Sequence, residues 1–169
     1  EPLDESLEQS LISLIESQMD AIDVVCIEDY DKGVLDETTC RRVIEQCRDA
    51  GVAVLVDPAG RDDYARYAGA TAITPNRSEG ERAVARRLDE TNLVKEGKSL
   101  AEELRAALDL EVAIVTLDRH GAVLAQRDSD PLHVPTRARS VYDVTGAGDV
   151  VLAAIATGCG GGLSWTECV

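Results

Sequence analysis

The sequence contains no phenylalanine, one tryptophan and one methionine, and aromatic residues make up 3% of it. Its core must therefore be built from Val, Leu, Ile and Ala. Positive charge is also scarce: 17 Lys and Arg face 32 Asp and Glu, a formal net charge of −15 over 169 residues. A surface of that sign repels phosphate backbones, which argues against nucleic acid and anionic membranes as partners. A small anionic substrate stays compatible, given a local positive or dipolar site to receive it. No apolar run approaches the length of a membrane-spanning helix; the longest are Val150–Ala156 and Val112–Leu117. The start, EPLDESLEQS, shows no signal peptide, and the missing initial Met suggests a fragment or a processed product. The five cysteines (Cys26, Cys40, Cys47, Cys159, Cys168) form no C-x-x-C pair. They read as reduced thiols of a cytoplasmic protein, not as a zinc or redox motif.

What is present fits one globular domain. The hydrophobic fraction is 44%, and the length suffices for a real core. Leu7, Leu11, Leu14 and Ile15 recur at helical spacing, so a helix is expected over 4–19. Short β-branched runs at Ile22–Ile27, Val52–Val56, Thr71–Thr74 and Glu111–Thr116 read as buried strands. Between them, helices are expected from Asp36 to Asp49, ended by Gly51, and over 77–88 and 97–109. Ala122–Gln126 pairs back across a turn at His120-Gly121, and Leu132–Val134 adds a short strand. A last helix spans Ala147–Thr157 and stops at the glycines of GCGGG. Continuous apolar strands followed by helices imply an α/β fold, a doubly wound, mostly parallel sheet covered on both faces. In such sheets ligands bind beyond the carboxyl ends of the strands. Function is thus expected just after Ile27, Val56, Thr74 and Thr116.

The most informative segment is Asp143-Val-Thr-Gly-Ala-Gly-Asp149, followed by an apolar helix. Gly146 and Gly148 allow a tight turn and close approach of backbone to ligand. The helix start offers free amides and a positive dipole end to a phosphoryl group. Asp149 lies in its first turn, beside that anion site. It either serves the dipole or acts as a general base toward a substrate hydroxyl. A P-loop string is absent, and the segment lacks the third glycine of a dinucleotide fingerprint.

This segment resembles the C-terminal signature of the PfkB/ribokinase family of sugar kinases. Thr74-Pro-Asn-Arg-Ser-Glu79 is similar to the family's T-P-N-x-x-E motif, and Val115-Thr-Leu-Asp-Arg-His-Gly121 to its nucleotide-contacting turn. The three occur in family order over nearly the whole chain. Within the family, Glu28-Asp-Tyr-Asp-Lys-Gly33, Val56-Asp-Pro58 and the run from His133 to Asp143 look most like kinases of the ADP-heptose pathway, which phosphorylate a heptose 7-phosphate at O1.

The resemblance implies a ribokinase-like fold and ATP with Mg2+ as cofactors. Asp149 would be the catalytic base, with Gly146, Ala147 and Gly148 supplying the anion-hole amides. Asn76 and Glu79 would organise magnesium and phosphate through water. Thr116, Gly121 and Thr145 would line the nucleotide site, and Asp29 and Lys32 would lie near the acceptor. Plainer roles stand beside these. Asn76 and Glu79 form a potential capping box, Thr116 suits a strand end, Lys32 a solvated turn, and Gly121 a turn alone. Trp165 reads as packing. Three positions depart from the family pattern: Ala59 replaces a lysine that Arg61 would have to substitute, Asp118 replaces a glycine, and Glu28 a small polar residue. By the resemblance, residues 1–169 form a single domain, the C-terminal nucleotide-binding part of a kinase whose N-terminal portion is missing. The sheet would then be incomplete, and a homodimer is one way of covering its edge. Other PfkB-type kinases (ribokinase, fructokinase, nucleoside kinase) and a non-catalytic nucleotide-binding module are the alternative readings.

Overall fold

The computed structural model describes residues 4–136 and 146–169. Thr145, Arg137 and Arg139 lie outside the described residues. In chain order the elements are α1 (Glu5–Gln18), β1 (Val24–Glu28), α2 (Glu37–Ala50), β2 (Ala53–Asp57), β3 (Ala72–Ile73), α3 (Arg77–Ala83), α4 (Leu93–Ala107), β4 (Val112–Thr116), β5 (Ala122–Gln126), β6 (Leu132–Val134), α5 (Ala147–Gly160) and α6 (Trp165–Cys168). The six strands form one sheet in the order β1-β2-β3-β4-β5-β6. The first four are parallel and the last two antiparallel.

The strands bury both faces, which is why their sequences read as continuous apolar runs. Side chains alternate along a strand, so each run divides between two cores. Ile27, Val54, Val56, Ile73, Ala113 and Val115 face one core, closed by α1, α2 and α4. Leu55, Ala72, Val112, Ile114 and Leu124 face the other, closed by Leu152 and Ile155 of α5 and by Trp165 of α6. The expected packing role of Trp165 is thus what the structure shows, and its Nε1 also donates to Glu111 at 2.7 Å.

Local chemistry sets the helix ends. Asp36 caps α2 by accepting from the Thr39 amide at 2.7 Å, a bond of the kind that contributes ~1 kcal/mol. That bond also holds the Asp36 carboxyl below its usual range. Gly51 ends the helix in the left-handed region, at φ 73°. Arg42 of α2 ties α1 through Glu8 at 3.0 Å.

Five boundaries differ from the sequence expectation. β1 starts at Val24 because Met19–Ala21 tighten into a 3-10 turn. β3 shortens to Ala72–Ile73. The helix expected over 77–88 ends at Ala83, where the chain turns through Ala85 at φ 52°. The buried Glu81 carboxylate accepts the Leu88 amide at 3.0 Å and Arg87 at 2.8 Å, so it organises the turn in place of further helix. The next helix begins at Leu93, four residues earlier than expected, and places Leu93 in the core. The glycines after Thr157 do not stop α5 either. A Cβ on Gly158 would lie 2.8 Å from Cys168 Sγ, so this glycine makes room for α6.

Candidate functional site

The carboxyl ends of β1 to β4 lie side by side. Glu28 is in register with Asp57, the Asp29 amide donates to the Asp57 carbonyl at 3.0 Å, and the Thr74 amide donates to Val56 at 2.9 Å. Asn76 forms a parallel bridge with Thr116, whose amide donates to the Pro75 carbonyl at 3.1 Å. Two of the expected site residues therefore meet through backbone pairing. Strand alternation also decides which side chains share a face. Cys26 pairs with Leu55, so Glu28 and Asp57, two residues on, project to the face covered by α5. Thr116 does the same two residues after Ile114.

On that face, α5 begins. Gly146 adopts φ 73° and leads directly into the first turn at Ala147. Among the described residues no side chain caps this helix, and Gly146, Ala147 and Gly148 are exposed. A helix of 14 residues thus presents uncapped amides to its surroundings, the geometry that receives an anion. Asp149 is half-buried in the same turn, with its Oδ2 3.8 Å from where a Cβ on Gly146 would stand. A Cβ on Gly148 would come 2.9 Å from Asp57 Oδ2. The Asp57 carboxylate therefore lies against the helix start, and a side chain at Gly148 would have to push it aside.

Residues 2–169 match the pfkB family of carbohydrate kinases. The chain belongs to this family. It is 41% identical over 167 residues to the bifunctional protein HldE of Syntrophotalea carbinolica and 43% identical over 156 residues to that of Shewanella loihica. These alignments cover 98% and 92% of the chain but 33% and 31% of the relatives, so the chain spans about a third of their length. Among solved structures it resembles the tetrameric inhibited form of phosphofructokinase-2 from Escherichia coli, with a TM-score of 0.80 at 17% identity. It also resembles Arabidopsis thaliana ribokinase complexed with ribose and ATP, with a TM-score of 0.72 at 20% identity. The alignments take in 99% of the chain and 54% and 50% of those proteins, and they establish the ribokinase-like fold.

In this pfkB chain the carboxylates crowd. Burial, then the neighbouring Glu79, Asp149 and Glu28, push the Asp57 carboxyl up to about 6, partly offset by a hydrogen bond from Thr74. The Tyr30 phenol is pushed up to about 12, chiefly by the neighbouring Asp149 carboxylate. Its hydroxyl also stands 3.5 Å from Glu28 Oε2. Tyr30 and Asp57 went unassigned in the sequence, although both sit in quoted segments. The signal was there: Asp57 ends a strand and alternates with buried Leu55 onto the α5 face.

The other expected residues are placed as follows. Asn76 caps α3 by accepting the Glu79 amide at 3.0 Å, and Glu79 accepts the Asn76 amide at 2.8 Å. The capping box exists, and Glu79 stays within electrostatic reach of the Asp57 carboxylate. Gly121 adopts φ 89°, and a Cβ there would lie 2.0 Å from the Val134 carbonyl oxygen. Packing of β6 alone demands glycine. Asp118 takes a left-handed φ of 52° in the position where a glycine was expected, and pairs with Arg77 at 3.2 Å. Asp29 is buried and committed: it accepts Tyr67 Oη at 2.6 Å, Arg66 at 3.4 Å and the Asp31 amide at 2.8 Å. Lys32 is exposed, on the rim of an apolar groove along β1.

Among the described residues, no three His, Cys, Asp or Glu side chains are grouped to grip a metal ion directly. The hard oxygen donors that converge loosely, Asp57 and Glu79, suit magnesium that keeps several waters. No helix among the described residues is long and apolar enough to cross a membrane.

Proposed function

We propose that the chain is the nucleotide-binding and catalytic part of an ATP-dependent sugar kinase. It would transfer the γ-phosphoryl group to a hydroxyl of a phosphorylated sugar, O1 of a heptose 7-phosphate being the finer reading. The observation that carries the kinase reading is the match of residues 2–169 to the pfkB family, with Asp149 in the first turn of an uncapped α5. The heptose reading rests on the likeness of Glu28–Gly33 and Val56–Pro58 to heptose kinases. The HldE relatives support the same choice.

Asp149 takes the proton of the attacking hydroxyl. Tyr30 stands beside that carboxylate. The amides of Gly146 to Gly148 receive the equatorial oxygens of the transferring group, where charge spreads in the transition state. Positioning and electrostatics thus carry the rate, with little covalent chemistry from the protein. Magnesium, when bound, neutralises phosphate charge. Asp57 and Glu79 would hold it through water. Burial, then repulsion from Glu79, raises the Asp57 pKa, and a cation there would relieve that repulsion.

Calorimetric titration with ATP, with and without magnesium, tests the proposal. Binding should depend on magnesium and weaken in Gly146→Val, because a β-branched residue cannot adopt φ 73° without strain. ATP binding that ignores both changes contradicts the site.

A further inference from the structure

The loop after β2 and the start of α2 enclose an open pocket of about 450 Å³. Its wall carries three arginines, Arg61, Arg66 and Arg82, with Glu37, Asp62 and Asp63. In a chain of net charge −15 that convergence of guanidinium groups is unusual. We propose that this pocket is a subsite for a phosphate monoester.

Two of the three acids on the wall are engaged elsewhere. Glu37 pairs with Arg41 at 2.9 Å, and Asp63 accepts the Ala65 amide at 2.8 Å. Asp62 is 91% exposed and 3.9 Å from Arg82. The guanidinium groups keep capacity, since each offers five N–H donors in a fork that matches phosphate. Arg66 is held rigidly by buried Asp29 and by the Leu35 carbonyl at 2.8 Å. Arg61 bonds Asp31, yet its Nε is buried with no hydrogen-bond partner among the described residues. Arg82 donates to the Gly60 carbonyl across the loop. An incoming phosphate would satisfy the Arg61 fork and displace the loosely placed Asp62.

The pocket adjoins the carboxylate site. A Cβ on Gly60 would stand 3.1 Å from Arg82 and 3.8 Å from Glu79 Cγ, so one short loop separates the two. The Tyr64 hydroxyl, under the same loop, is also buried without a partner among the described residues, within the electrostatic reach of Arg82, Glu79 and Asp57. The inference rests on the kinase reading for its ligand: the phosphate belongs either to the acceptor sugar or to the nucleotide.

Titrations of the protein with inorganic phosphate, glucose 6-phosphate, glucose and ATP, run on wild type, Arg61→Gln, Arg82→Gln and Arg127→Gln, separate the cases. Inorganic phosphate and glucose 6-phosphate should bind wild type, and glucose should not. Arg61→Gln and Arg82→Gln should each weaken phosphate binding by about 10-fold or more, the size of a charge-assisted hydrogen bond. Arg127→Gln, which loses an exposed pair with Asp109 outside the pocket lining, should leave it unchanged. Thermal melts confirm folding, and Arg82, 54% exposed, tolerates truncation. A loss for inorganic phosphate and glucose 6-phosphate that spares ATP assigns the acceptor's phosphate; a loss extending to ATP assigns the nucleotide's. No phosphate saturation in wild type, or an equal loss in Arg127→Gln, overturns the subsite. Failure of ATP to bind any form would count against the kinase reading while the inorganic phosphate arm still reports on the pocket.

Discussion

Asp57 makes the folded chain pay for its site, and Asp57→Asn should remove that cost. Its carboxyl rises from 3.8 to about 6 because it is desolvated at the end of β2 and faces Glu79, Asp149 and Glu28. Between those two pH values the native state keeps a proton that the unfolded chain has released. Stability from this residue is thus fully present below pH 3.8 and is lost as pH rises through about 6. At ~1.4 kcal/mol per pH unit, the loss amounts to ~3 kcal/mol. Asparagine keeps an oxygen to accept from Thr74, which stands 3.4 Å from Asp57 Oδ1, and cannot ionise. Urea denaturation from pH 4 to 8 should therefore show wild type losing ~2.5 kcal/mol of this relative to Asp57→Asn, with the variant the more stable above pH 6. Carboxylates that do not face Asp57 titrate alike in both proteins and cancel in the difference, whereas Glu79, Asp149 and Glu28 share in the effect. Saturating magnesium should shrink the gap by stabilising the wild-type carboxylate. Curves that stay parallel from pH 4 to 8 would refute the crowded-carboxylate reasoning.

Three further outcomes follow from the same geometry. Asp29→Ala strands Arg66 and Tyr67 and should cost ~3–5 kcal/mol in a denaturant titration; a loss near zero would return Asp29 to a ligand-binding role. Gly121→Ala drives a Cβ into the Val134 carbonyl at φ 89° and should cost at least ~2 kcal/mol, visible as a drop in Tm. Asp118→Gly relieves a left-handed residue, ~1–2 kcal/mol, and gives up an exposed pair with Arg77, ~0–1 kcal/mol. Its stability should stay level or rise slightly by the same titration.

Much of this architecture was legible in the residues. The β-branched runs marked the strands, Asp36 marked its cap, and the four strand ends marked where the polar clusters meet. The antiparallel pairing of Ala122–Gln126 followed from the His120-Gly121 turn. What was not legible depends on contacts distant in sequence. Asp29 looked like an available acceptor-side carboxylate, yet Tyr67, 38 residues later, takes one of its oxygens. The break after Ala83 came from a buried Glu81 that no helical periodicity announces. Gly158 looked like a stop signal because the glycine run resembles a cap; its use is to admit Cys168. Asp57 was readable by alternation from Leu55, but its chemistry emerges only when α5, about 90 residues on, lays Gly148 against it.

The central claim is that Asp149 activates an acceptor hydroxyl beside the anion-binding start of α5. Steady-state phosphoryl transfer from ATP to heptose 7-phosphate, measured for wild type and Asp149→Asn with ATP affinity measured in parallel, tests it most directly. The account predicts a fall in kcat of roughly 10²–10⁴-fold with ATP affinity retained. Equal turnover in the two proteins would contradict it.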